Sequence, residues 1–493
     1  MTRFAASGLL GPKYRAAALS LMVLVAIASY NNLSVTAALP AIGDDLGRVR
    51  LLPWVVTAEL VAAAVAVLAV GPFIDGAGAR RAFRITVVAA LVTSAMCAVA
   101  PTMELLVAGR LLQGLAMGAL IGVALTAIGL VFDDAVRPWA YALMSSVWGI
   151  MGIGSPAVAA ALVSTLGWRA VFLANLPVGL IAAAVGWSRM PSVAQAAAEP
   201  LDRRGLLILS AFTAALLVAT SNASWSSIVM LAVGVALAAL YVVHARSCQA
   251  PVVRMPHVTG ARFWPIHVVA TLAVSGGTGA SVYLPLYLKA ARGSSAAFAA
   301  FAVVWPTLGW STAAWVSGKL QQHVRAQTVT LIGSGFMAVG AVAVASAVAV
   351  GAAIPLVLAA AACVGWGIGT ITTSGLSLLQ SRAATAEMGR ASSAHQFLRS
   401  LGFAYGAAVA GLVLFWVVER RTGDAELVRS LLGDVETVVD VTVADALAEG
   451  YMWSLAAMAV LSVLTVPAAL VLTRGYQPRD SAGRGTGPAG ERL

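Results

Sequence analysis

The chain has 493 residues, 60% of them hydrophobic and 10% charged, with a mean hydropathy of +0.90. Soluble domains carry about 25% charged residues, so this composition excludes a soluble globular protein and predicts an all-α polytopic membrane protein. The net charge of +11 does not point to nucleic acid, because the basic residues sit in short connections between apolar runs, where the positive-inside bias places them.

Fourteen apolar segments follow one another: 16–40, 54–74, 85–101, 104–131, 137–163, 168–190, 205–221, 225–245, 263–288, 296–318, 328–350, 354–380, 394–418 and 451–473. The first contains Ala26-Ile27-Ala28, which resembles a signal-cleavage site. It is too long for a leader and more spans follow, so it reads as retained. The second, beginning at Trp54, is about twenty residues long, enough to cross ~30 Å of hydrocarbon at ~1.5 Å per residue. It carries one carboxylate, Glu59, and the Gly71-Pro72 step predicts a break before the basic loop from Asp75 to Arg84. The fourth segment holds Arg110 and Gln113, with Gly114, Gly118 and Gly122 at a spacing that reads as helix packing. The fifth holds Gly149, Gly152, Gly154 and Pro156.

Residues 191–203 form a Pro/Ala/charge linker, a seam between halves, and two spans almost free of charge follow it. A basic stretch, His244 to Arg262, comes next. The one long connection, Glu419–Gly450, is acidic and amphipathic and reads as a small surface helix or partial lid. The tail after Arg474 is rich in Gly, Pro and Arg and reads as disordered.

An even number of spans puts both termini on one side. With that side cytoplasmic, 22 of the 31 Lys and Arg fall on cytoplasmic ends and loops and 8 outside, Arg110 being intramembrane. The asymmetry favours this orientation in the cytoplasmic (inner) membrane. The stretch Gly71–Arg84 after the second segment is echoed weakly by Ser317–Gln327 after the tenth. A six-helix unit repeated either side of a two-helix insert gives that pattern, and such symmetry is typical of secondary transporters. The division is then a bundle over 1–190, a linker and inserted pair over 191–262, a bundle over 263–475 with the exterior loop 419–450, and a tail over 476–493. No GxxxxGK[ST] loop occurs, so ATP-driven transport is not expected. Cys97, Cys248 and Cys363 lack metal-ligand spacing and form no disulfide framework. No nucleophile–base constellation suggests an enzyme.

Several of these stretches carry a resemblance. Gly71, Asp75, Gly78, Arg80 and Arg81 stand in the places of the loop motif of the major facilitator superfamily. Arg110-Leu-Leu-Gln113-Gly114 is similar to that family's Arg-x-x-Gln-Gly pattern, and Gly149, Gly152, Gly154 and Pro156 resemble its exporter-specific glycine–proline motif. Gly167-Trp168-Arg169 through Asn175-Leu-Pro177, Tyr283-Leu-Pro-Leu-Tyr287 and Arg399-Ser-Leu-Gly402 match in type. Over about residues 15–475 the chain resembles the fourteen-helix drug:proton antiporter branch. That resemblance implies the major facilitator fold and proton-driven export of amphipathic or lipophilic compounds by alternating access. One departure stands out. The acid usual near the end of the first helix is replaced by Asn31, which cannot carry a proton, so that role does not transfer. Gly76 and Ala79 also stand where arginine is often found, which implies a weaker gate latch.

An acid in hydrocarbon is costly when ionised and by default marks a functional site; Glu59 is therefore the expected proton carrier. Arg110 lies at similar depth and needs a partner, for which Glu59, Asn31 with Asn32, and backbone carbonyls are candidates. If the partner is Glu59, protonation releases Arg110. Asp75 with Arg80 and Arg81 is expected to latch the two bundles through charge-assisted bonds. The helix 5 glycines permit close approach and Pro156 a bend. Asn31, Asn32, Gln113 and Arg399 are expected to line the substrate cavity, although Arg399 is also placed to snorkel. His267 and His395, near helix ends, read as interfacial. The expected partners are the lipid bilayer, protons and one small amphipathic or lipophilic molecule, handled by a monomer with no cofactor or metal beyond the proton gradient. The alternatives are a transporter of an endogenous metabolite or lipid, and a non-transporting membrane sensor or scaffold using loop 419–450.

Overall fold

The computed structural model describes residues 11–48, 51–187, 201–221, 225–423 and 441–474. Most of the linker, residues 424–440 of the long loop and the tail lie outside the described residues. The described residues are mostly helical, joined by turns, bends and short irregular connections. The helices are α1 Arg15–Leu46, α2 Leu52–Ala77, α3 Ala79–Ala98, α4 Met103–Val131, α5 Arg137–Leu166, α6 Arg169–Leu173 and α7 Asn175–Gly186. Then come α8 Arg203–Ser221, α9 Trp225–Ser247, α10 Met255–Thr259, α11 Trp264–Val282, α12 Leu284–Leu286 with a π turn over Tyr287–Ala291, and α13 Ala296–Phe301. The last are α14 Val304–Leu320, α15 Ala326–Ala349, α16 Ile354–Arg382, α17 Met388–Thr422 and α18 Val441–Arg474.

Among the described residues, 12 helices are long and apolar enough to cross a membrane by length and composition. Two segments expected as spans are not among them. One is α8; the other, 296–318, splits into α13 and the 17-residue α14, short of the ~20 residues a hydrocarbon core asks for.

The break expected at Gly71-Pro72 does not occur, and α2 runs through it to Ala77. A proline removes one N–H, and neighbouring helices can satisfy the freed carbonyl in a membrane bundle. The turn falls instead at Gly78, whose φ of +82° favours glycine. Likewise α5 is continuous through Pro156.

Packing repeats between the two ends of the chain. In the first half α2 lies along α4, α1 along α5 and α3 along α4. In the second, α14 lies along α16, α11 along α17 and α15 along α16. Small residues bring the paired backbones together: a Cβ at Gly114 or Gly118 would collide with the backbone of Glu59 or Ala63, and one at Gly365 or Gly369 with that of Pro306 or Trp310. One apolar core gathers residues of α1, α3, α4 and α5, and a second those of α11, α15, α16 and α18. Two seams join the halves, α2 against α17 and α5 against α14. The pair α8–α9 lies over the first seam, where Phe212 and Leu216 cluster with Leu68, Phe397 and Leu401.

Candidate functional site

Glu59 of α2 sits at the centre of a closed polar cluster made by α1, α2, α3 and α4. Glu59 and Arg110 are 3% and 1% exposed, and Asn31 and Gln113 fully buried. Glu59 Oε2 accepts from Arg110 Nη2 at 2.7 Å, and its Oε1 accepts from Asn31 Nδ2 at 2.8 Å. Arg110 also donates from Nε to the Val55 carbonyl at 2.8 Å and from Nη1 to Gln113 Oε1 at 2.7 Å and Asn31 Oδ1 at 3.3 Å. Gln113 is fixed by donating to Ser94 Oγ at 2.9 Å. The guanidinium carbon lies 5.8 Å from the Phe172 ring centre. The close α2–α4 approach at Gly114 places Arg110 beside Glu59.

Chemically this is a satisfied ion pair, with each carboxylate oxygen and three guanidinium nitrogens engaged. Removing one member of such a pair costs about 3–5 kcal/mol, since it strands a buried charge. Asn31 holds this arrangement from both sides, accepting from the cation and donating to the anion. It therefore stands with Glu59 rather than in a cavity, and Gln113 does the same for Arg110. Asn32 is partly buried on α1.

At the far end of α2 lies a second site. Asp75 is 5% exposed, and its carboxylate accepts from the backbone N–H groups of Gly389 at 2.7 Å and Arg390 at 3.0 Å. These amides open α17, so the anion meets the positive end of a helix dipole. The expected partners were Arg80 and Arg81, which follow on α3; the carboxylate instead reaches across the seam to backbone. Gly71 makes this reach possible: a Cβ there would lie 2.7 Å from the Gly389 carbonyl oxygen. Nearby, Tyr141 donates to Gln380 Oε1, and Gln380 donates to the Leu125 carbonyl at 2.9 Å and Ser392 Oγ at 3.1 Å. Sequence reasoning did not single out Tyr141 or Gln380. A polar residue ending an apolar run was the only signal.

On the other seam, Ser311 Oγ donates to the Ser145 carbonyl at 3.1 Å and Trp315 Nε1 to Ser146 Oγ at 2.6 Å. Gly149 packs there, since a Cβ would lie 2.5 Å from Ser311 Oγ, and Gly152 sits in ordinary contact with Thr307. One turn on, Gly154 faces open space and Pro156 is exposed. The inter-half hydrogen bonds named here all lie in the Asp75-end half of α2, α4 and α5. At the opposite end, ion pairs such as Asp45–Arg169 at 2.7 Å join elements of the first half to one another. Arg399 is partly buried on α17, with Nε shielded and unpartnered among the described residues.

One group of metal-ligand type residues also converges, Asp202, His244 and Cys248, within 4.8 Å. No metal-ligand spacing was read around Cys248 from sequence, because Asp202 comes from 42 residues before His244. Its carboxylate is already engaged, accepting from His244 at 2.8 Å, Gly205 N at 2.8 Å and Val252 N at 3.3 Å. That is a helix cap tied to α9.

The structure is thus a many-span helical bundle in two similarly packed sets, with a buried ion pair in one and a charged contact between them. The chain belongs to the Major Facilitator Superfamily, whose profile matches residues 19–407. It is 27% identical over 411 residues to an uncharacterized MFS-type transporter of Mycobacterium tuberculosis, an alignment covering 81% of this chain and 59% of that protein. It is 30% identical over 411 residues to a probable multidrug-efflux transporter of the same organism, covering 79% of this chain and 85% of that one. Among solved structures, the human organic anion transporter MFSD10 superposes with a TM-score of 0.62 at 13% identity, over 93% of this chain and 99% of that one; that likeness is of fold.

Proposed function

We propose that the chain is a proton-driven exporter of amphipathic or lipophilic compounds that works by alternating access. The observation that carries this reading is the Glu59–Arg110 pair, buried and fully bonded within the bundle; in this reading a proton and the guanidinium compete for the one carboxylate. When Glu59 is ionised it holds Arg110, Asn31 and Gln113 in one cluster. When it is protonated the guanidinium keeps only neutral acceptors, and the α1–α2–α4 contacts loosen. The Asp75 latch secures the arrangement in which the Asp75 end is shut. In this reading α8 and α14 complete fourteen spans, in two six-helix bundles with an inserted pair, and the Asp75 end and both termini face the cytoplasm. The chain acts as a monomer in the cell membrane. The relative named as a probable multidrug-efflux transporter supports the cargo class.

The test is dye efflux in inverted vesicles, wild type against Glu59→Gln, with and without a proton uncoupler. Uncoupler-sensitive efflux in the wild type and its loss in the variant are expected. Unchanged coupling in the variant removes Glu59 from the mechanism.

A further inference from the structure

Two buried histidines take no part in the cluster around Glu59. His267, on the first turn of α11, and His395, in α17, are 4% and 1% exposed. Their Nδ1 atoms lie 3.0 Å apart, and His267 Nε2 lies 2.7 Å from the His257 carbonyl oxygen. These contacts fix the protons. A carbonyl only accepts, so His267 carries its proton on Nε2 and its Nδ1 is bare. His395 must then donate from Nδ1, which leaves His395 Nε2 a bare acceptor. That atom is buried and has no partner among the described residues, and neither has Nε of Arg399, one turn on along the same helix. A buried acceptor left unmade is costly; a proton would fill it, against the cost that burial sets on the charged imidazolium.

We propose that the His267–His395 pair is a second proton-binding site, in the second half of the chain, and that its occupancy sets where the Arg399 guanidinium lies. The inference rests on the proton-coupled reading above. With the pair neutral, bare His395 Nε2 is a natural acceptor for Arg399 Nε–H, four residues away on one helix face. A proton from water adds to the Nε2 lone pair, giving an imidazolium that still donates through Nδ1 to His267. It now repels Arg399, and the two sites of positive charge exclude each other. Arg399 is within electrostatic reach of Tyr141 on α5, whose hydroxyl donates across the seam to Gln380. Arg399 and His395 share α17 with the contacts of the first seam. The same helix presents the Gly389 and Arg390 amides to Asp75. The groups that act on the pair from the elements around it are His257 of α10 and Arg399 of α17. Behind His257 stands Glu387, 2.9 Å from its Nε2 and paired with Arg254; beyond Arg399 stands Tyr141, and at the start of α17 are Arg390 and Asp75.

The chain has 5 histidines, so 15N-imidazole NMR of the full-length protein in lipid nanodiscs resolves the pair without any cargo. In the wild type the two rings should take up one shared proton as the pH is lowered from about 8 to about 4. Arg399→Gln, by removing the competing cation, should move that uptake to higher pH. His395→Asn should abolish it, since the amide nitrogen replaces Nδ1–H as donor but offers no second nitrogen. Should His395→Asn fail to fold, His395→Gln, whose amide likewise offers a donor but no second ring nitrogen, takes its place. In proteoliposomes with the membrane potential clamped, ethidium accumulation against an imposed pH gradient gives the second reading. Each proton site lost cuts the accumulation that one pH unit supports about tenfold, in His395→Asn with Glu59 intact. A pair that stays neutral across the range, indifference to Arg399→Gln, or an unchanged gradient dependence in His395→Asn overturns the proposal while leaving Glu59 standing. A wild type that ignores the pH gradient overturns the proton-coupled reading itself.

Discussion

The two seams between the halves are built alike and bonded differently. Gly71 of α2 abuts Gly389 of α17, and Gly318 of α14 abuts Pro138 of α5. Four residues beyond the first glycine stands Asp75; four beyond the second stands Gln322. At the first seam a carboxylate takes two amide protons from a helix start. At the second the matching position in the first turn of α5 is Pro138, which has no N–H to give, and the matching side chain is neutral. Backbone approach through small residues is thus a property of the fold, used on both sides, whereas the electrostatic latch is confined to one. The same contrast holds inside the halves. Gly114 and Gly118 pack on α2 as Gly365 and Gly369 pack on α14, yet Glu59 faces the first contact and Pro306 the second.

The largest expected effect comes from breaking the charged seam. Asp75→Asn loses two charge-assisted bonds, each of about 1.5–3 kcal/mol, and should shift the population away from the state shut at the Asp75 end by at least about tenfold, read as spin-label distances across α2 and α17. Gln322→Ala, its counterpart, should leave those distances unchanged. Next come the glycines. Gly389→Ala places a methyl group against Asp75 and the Gly71 carbonyl and should cost about 1–3 kcal/mol, whereas Gly318→Ala meets the Pro138 carbonyl oxygen at 3.5 Å, an ordinary contact, and should be tolerated in a melting assay.

Asn31→Asp sharpens the contrast inside the first half. It sets a second carboxylate where Asn31 donates to Glu59 at 2.8 Å. Two acids at that distance share a proton, so proton-coupled efflux should move by about a pH unit or more toward alkaline pH.

The smallest effect lies at the surface. Tyr14 donates to Asp133 and Lys13 pairs with it at 2.9 Å, and together they hold the Asp133 carboxyl below the usual carboxylate range. A lowered carboxyl contributes stability above its unfolded value and loses it as pH falls through the lowered one. Lys13→Met should therefore change the melting temperature slightly at neutral pH and not at all in strong acid.

How much of this was legible follows from the kind of contact. Helices such as Met103–Val131 stand almost where apolar length put them, because hydrocarbon thickness dictates them. Gly71-Pro72 misled, since a proline signals a stop in water but is carried through by a bundle. The isolated acid pointed to its own place, but among the candidate partners of Arg110 only three dimensions could say that it takes Glu59, Asn31 and the Val55 carbonyl together. For Asp75 the arginines nearby in sequence were a false lead: backbone amides satisfy it, and an amide has no letter in the sequence. The His267–His395 contact joins residues 128 positions apart, and each histidine alone looked interfacial.

The account turns on one carboxyl group taking a proton in competition with Arg110. Infrared difference spectroscopy of the reconstituted protein, between alkaline and acidic pH, reads that group directly. A protonated-carboxyl C=O band should appear on acidification of the wild type, shift in Arg110→Gln and vanish in Glu59→Gln. A band that persists in Glu59→Gln, or a Glu59 that stays ionised throughout, contradicts the account.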